Sequence, residues 1–105
     1  MTSKEQVAHS AELFKQCLGI LETKGIAYSG DTDAHANFKR NGEALGISQY
    51  QTLAVYMMKH VDCILGAINA CPDKPADATE GLRGRITDAI NYLSILSGML
   101  KEDDL

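Results

Sequence analysis

The chain has 105 residues, 45% of them apolar, with 10 basic against 14 acidic side chains and a net charge of −4. That length supports one core and not two, so a single helical domain over residues 1–105 is expected. No basic stripe of the kind that neutralises a phosphate backbone is present, which excludes the usual footprint of a binder of long nucleic acid. A small anion needs only two or three cations and stays within reach.

From Ser3 to Lys24, Val7, Ala11, Phe14, Leu18 and Leu21 recur in steps of four and three, the spacing of one face of an amphipathic helix. Gly25 is the expected end of this helix. Tyr28 to Asp33 reads as a turn, and Asp33 is placed to cap a short helix over residues 34–45. Ser48 followed by Gln51 fits a capping box that starts a second long helix. Its stripe is Leu53, Met57, Val61, Ile64 and Ile68, with Tyr56 and Leu65 alongside, and it should stop near Cys71 because Pro72 and Pro75 follow. Asp77 and Glu80 offer another capping box before a last helix over residues 78–101. The seam of that helix, Leu82, Ile86, Ala89, Leu93, Leu96 and Leu100, calls for a facing helix. The expected fold is therefore all-α: a small bundle of three long helices and one short one. Its seams are open to completion by another subunit, and a homo-oligomer is expected.

Cys17, Cys63 and Cys71 are odd in number and form no C-x-x-C pair, which speaks against a disulfide framework or a thiolate zinc site and for a reducing cytoplasm. The first residues are charged, and no run approaches about 18 apolar residues, so neither export nor membrane insertion is expected.

Asp88, Asn91 and Tyr92 stand at i, i+3 and i+4 on the last helix and share one side of it. An acid and an amide held this way suit a divalent cation or the hydroxyls and base edges of a nucleotide; the plainer reading is a buried hydrogen-bond network. Both lie off the leucine seam, as the wall of a cleft facing Tyr28 and Asn37 or as a second contact surface. On the preceding helix, Lys59 and Asp62 form either a surface ion pair or a phosphate ligand beside a metal or ribose ligand. His60 reads as a partly exposed helix residue, and the histidines are too scattered for a zinc site. The segment holding Lys24, Tyr28, Asp31, Asp33, His35, Asn37, Phe38, Lys39 and Arg40 mixes phosphate-binding, stacking and metal-binding side chains; alternatively it is a solvated loop with Tyr28 and Phe38 folded onto the core. Glycine-rich phosphate loops, a G-x-S-x-G elbow and a cysteine nucleophile motif are all missing.

The order Phe14, Lys24 with Tyr28, Asn37-Phe38, Lys59 on a helix, and Glu80 ahead of Asp88-Ala-Ile-Asn91-Tyr92 resembles the nucleotide-modification-associated helical domain of phages and bacteria, over roughly residues 11–100. A more distant likeness is to the all-α MazG-like nucleoside triphosphate pyrophosphohydrolases, whose E-x-x-E and E-x-x-D carboxylates hold magnesium that activates water. Here Glu12 and Glu22 lack such partners, and D-x-x-N stands where E-x-x-D belongs. The resemblance, taken with residue type, which adds Arg85 and Asp62, points to a small-nucleotide site with Lys24, Tyr28, Asn37, Phe38, Lys59, Arg85, Asn91 and Tyr92 on the ligand, and Asp62, Glu80 and Asp88 near a magnesium ion. The function it implies is a phage-type nucleotide binder, in nucleotide metabolism or sequestering a host-defence signal, in the host cytoplasm for a phage-encoded chain. The alternatives are magnesium-dependent triphosphate hydrolysis and a structural oligomerisation module.

Overall fold

Thr2 caps the first helix: its hydroxyl accepts the Glu5 N–H at 3.1 Å while the Glu5 carboxylate accepts the Thr2 N–H at 3.1 Å, a reciprocal capping box. The computed structural model describes residues 1–77 and 81–105. These residues form α1 (Ser3–Ser29), α2 (Ala36–Leu45), α3 (Gln49–Ala70) and α4 (Leu82–Glu102), and no strand occurs among them. The all-α bundle of three long helices and one short one is what the periodicity calls for. No helix among the described residues is long and apolar enough to cross a membrane.

The second capping box is the one read from Ser48 and Gln51, with bonds of 3.1 and 2.9 Å. Gly25, however, does not end α1. The chain stays helical to Ser29 and breaks at Gly30, whose φ of 74° with ψ of −167° is a positive-φ conformation that glycine adopts without penalty. Ile26 and Ala27 carry no helix-breaking chemistry, so the helix runs on until Gly30 and Asp31 offer a turn. Asp77 belongs to an ion pair with Arg85, and the Glu80 half of the expected capping box lies outside the described residues.

α4 lies between its neighbours, packing on α3 and, on another side, on α1; α2 bridges α3 and α1. The core is Phe38, Leu53 and Met99, flanked by Tyr50, Tyr56, Tyr92, Ile95 and Leu96. Phe38 is its centre, with ring centroids 5.9 Å from Tyr56 and 6.3 Å from Tyr92. Gly42 lets α2 approach the start of α3, because a Cβ there would stand 2.7 Å from the Ile47 carbonyl and 2.8 Å from Thr52 Oγ1.

The apolar stripes point elsewhere than expected. On α4 the buried side chains are Arg85, Thr87 and Met99, whereas Ile86, Leu93 and Leu100 are exposed. The aromatic cluster turns Tyr92 and Met99 inward, and Arg85 and Asp88 tolerate burial because each has a partner of opposite or polar character. On α1 only Cys17 is buried, and Val7, Phe14 and Leu18 face outward.

Candidate functional site

A cavity of about 660 Å³ opens between the last turns of α1, the start of α2 and the middle of α4, with Lys59 and His60 of α3 at its far side. Because α1 runs to Ser29, Lys24 and Tyr28 are helix residues one turn apart and share a side. Both line the cavity, Lys24 exposed and Tyr28 62% exposed. The turn behind them is held by side chains: Asp33 Oδ1 accepts the His35 N–H at 2.9 Å and Ser29 Oγ accepts the Asn37 N–H at 3.1 Å. Asn37 lines the cavity, but its side-chain oxygen already accepts from Arg40 at 3.3 Å and Asn41 at 3.1 Å.

Opposite them, α4 contributes Asp88, Asn91 and Tyr92 to the wall, the side of the helix that their spacing predicts. Tyr92 stacks on the His60 ring with centroids 5.7 Å apart. His60 is buried, with Nε2 3.8 Å from the Asp88 carboxylate and Nδ1 3.4 Å from Arg85 Nη1. A guanidinium has no acceptor, so His60 Nδ1 accepts and the tautomer carrying hydrogen on Nε2 faces Asp88. Arg85 in turn donates from Nε to Asp77 at 2.8 Å, both side chains being almost wholly enclosed. A polar chain therefore runs from Asp77 through Arg85 and His60 to Asp88 at the cavity wall. Its last step, 3.8 Å from His60 Nε2 to Asp88, is longer than a hydrogen bond and sets the imidazole beside the carboxylate without bonding it.

Of the side chains read as nucleotide ligands, Lys24, Tyr28, Asn37, Phe38, Lys59, Asn91 and Tyr92 all border this one cavity. Phe38 does so from the core, only 5% exposed, so its ring is floor and not stacking platform. Arg85 is away from the cavity, engaged with Asp77 and His60 beneath Asp88. Of the residues read as metal ligands, Asp88 borders the cavity, Asp62 is an exposed α3 residue outside its lining, and Glu80 lies outside the described residues.

The carboxylates that do line the cavity are Glu22, Asp31 and Asp88. Among the described residues they form no convergent group of metal-ligating atoms; Asp33, His35 and Glu102 form the one such group, with its donor atoms within 4.8 Å of one another. That group already holds a cation. Lys39 Nζ lies 2.9 Å from Asp33 Oδ2 and 3.3 Å from Glu102 Oε1. The ammonium holds the Asp33 carboxyl below its ordinary range, and the two carboxylates raise Lys39.

Residue type suggests a partly exposed His60 and puts His35 in a mixed ligand-binding segment, whereas both side chains are buried. His60 stands one heptad from both Leu53 and Ala67, and all three are buried; that spacing was available in the sequence. His35 packs against Gly98, where an added Cβ would lie 3.4 Å from Nε2, a contact that no local pattern signals. Cys17, enclosed between α1 and α4, has its thiol pushed above the ordinary value by burial, with the nearby Asp88 charge adding to the rise. That is the condition of a packing thiol and not of a nucleophile.

No protein family, curated protein or solved structure matches this chain.

Proposed function

We propose that this protein binds a small nucleotide in the cavity between α1 and α4, and that it binds without turning the ligand over. One observation carries the reading: two lysines, an open tyrosine and an acid–amide pair, drawn from three helices, meet around a single cavity of about 660 Å³. That volume falls within the roughly 300–1,000 Å³ of small-molecule sites. Lys24 and Lys59 suit phosphate oxygens, Tyr28 a base face, and Asp88 with Asn91 the hydroxyls or base edge. The family resemblance read from the sequence points to the same ligand class. Its biological form is a phage-type protein that acts in nucleotide metabolism or sequesters a nucleotide signal, working as a homo-oligomer.

Binding without turnover is favoured because magnesium-dependent hydrolysis requires converging carboxylates to hold the metal and activate water. Asp88, Glu22 and Asp31 border the cavity without converging among the described residues, and Asp62 is outside its lining. No hydrolytic step follows from such a set.

The test is a panel of mononucleotides, triphosphates and cyclic dinucleotides, each with and without magnesium, scored for melting temperature and for product. The expected result is stabilisation by at least one member with no product. A ligand present at about 100 times its Kd adds about 2.7 kcal/mol. Product formation would move the assignment to hydrolysis. A flat melting temperature across the panel at millimolar ligand would end both nucleotide readings.

A further inference from the structure

We infer that α1 is an interface, and that its occupant is α1 of a second copy of this chain. Val7, Phe14 and Leu18 are 69%, 53% and 60% exposed, and with Ala11 they form a seam spaced four, three and four residues apart. That is the repeat with which helices interlock along their length. The seam runs outward while α1 packs on α4 through Cys17 and the half-buried Leu13 and Ile20.

Three observations identify the occupant. The first is area. The chain exposes 7389 Å², about 1,600 Å² more than the roughly 5,800 Å² of a compact monomer of 11.4 kDa. Obligate homodimers bury about 1,000–2,500 Å² per subunit, so the surplus is what a second copy would cover. The radius of gyration, 15.5 Å, exceeds the approximately 13 Å expected of 105 residues in the same sense. The second is support. Every residue from Met1 to His9 is exposed, with His9 bordering a pocket that Arg83, Ile86 and Thr87 of α4 also line, so the first turns of α1 gain little support from within the chain, and an unsupported helix is marginal in water. The third is charge. α1 carries Lys4, Lys15 and Lys24 against Glu5, Glu12 and Glu22, so this helix is neutral although the chain is acidic, and two copies of it do not repel. A partner that recognised this face by charge would find no sign to read. A twofold pairing of the same seam satisfies all three.

The inference does not rest on the nucleotide reading, and its test uses no ligand. Sedimentation equilibrium is run on the full chain, on Leu18→Glu, and on Ile68→Glu as a control that places the same charge on an exposed apolar residue of α3. The wild type and Ile68→Glu are expected at the same multiple of 11.4 kDa, with Leu18→Glu at half that assembly or less and with its helical circular dichroism retained. If Leu18→Glu loses helix, Ala11→Glu replaces it, since that exposed side chain on the same seam contributes little to the single chain. A wild type that stays monomeric at about 100 µM overturns the inference. So does a seam variant that remains folded with the wild-type mass.

Discussion

Lys59 and Tyr28 separate ligand binding from folding, because both are exposed and neither belongs to the Phe38–Leu53–Met99 core. A charge-assisted hydrogen bond to phosphate is worth about 1.5–3 kcal/mol, so Lys59→Ala is expected to weaken a nucleotide at least about tenfold. Tyr28→Ala should lose a comparable factor through stacking, which alanine substitution values at about 1–3 kcal/mol per base. Calorimetric titration measures both, and a chemical denaturation midpoint within error of wild type shows that the fold is intact. If either variant binds as well as wild type, that side chain does not touch the ligand. Residue type alone singles them out as candidates, since a lysine suits a phosphate and a tyrosine a base face. Arg85 shows the opposite case, since an arginine on α4 looks like a phosphate ligand until Asp77 is seen to claim it. Tyr50 offers a test of the fold at the same scale. Its hydroxyl donates to Asp103 at 2.6 Å, and this bond, with some burial, pushes its pKa up to about 12. An unfolded tyrosine ionises near about 10, so between roughly pH 10 and pH 12 the unfolded chain releases a proton that the native chain keeps. Stability from this bond is complete below that window and falls as pH rises through it. Denaturant midpoints at about pH 9 and about pH 11.5 are expected to drop further for wild type than for Tyr50→Phe; equal drops would place the bond outside the solution structure.

Among the elements, those with reciprocal local chemistry were the most legible. Ser48 and Gln51 define the start of α3 by side-chain to backbone bonds that any chain of this sequence can make. The end of α1 was not legible in the same way, because Gly25 and Gly30 are both plausible stops, and a helix tolerates a glycine when the residues after it, here Ile26 and Ala27, can continue it. Gly42 was silent in the sequence and carries one of the closest approaches in the fold. A methyl group there meets the Ile47 carbonyl at 2.7 Å, a backbone atom that cannot rotate away. Gly42→Ala gains about 1 kcal/mol in helix propensity and loses about 1–3 kcal/mol to overpacking, so net destabilisation of up to about 2 kcal/mol is expected. Gly66 on α3 has nothing within 4 Å of such a methyl. Gly66→Ala should therefore stabilise, by up to about 1 kcal/mol. Urea midpoints with unchanged m-values give both signs, and a neutral Gly42→Ala would mean that α2 can withdraw from α3 at no cost.

At the scale of the whole molecule, the apolar periodicity was legible but its direction was not. The α1 seam and the Leu82–Leu100 seam of α4 both call for a facing helix, and within one chain neither receives one along its length. A sequence repeat of three and four reports that a helix needs a neighbour; it does not report whether the neighbour comes from the same chain. The competing claim on α4 came from Tyr92 and Met99, which rotate the helix toward Phe38 and carry Asp88 to the cavity wall. Exposure of the seam and placement of the candidate site are thus consequences of one rotation. Stability should then depend on concentration, because the energy missing from a single chain is returned by association. For a folded dimer that unfolds to monomers, a hundredfold rise in concentration adds about 2.7 kcal/mol per dimer, enough to raise Tm by several degrees in a chain of this size. Calorimetric scans between about 1 µM and about 100 µM are expected to show that rise for wild type and none for folded Leu18→Glu. Leu21, the next member of the α1 seam, lines the cavity, so the helix face held by a partner is continuous with the wall that carries Lys24 and Tyr28. A Tm independent of concentration in the wild type would leave that wall supported by one chain alone.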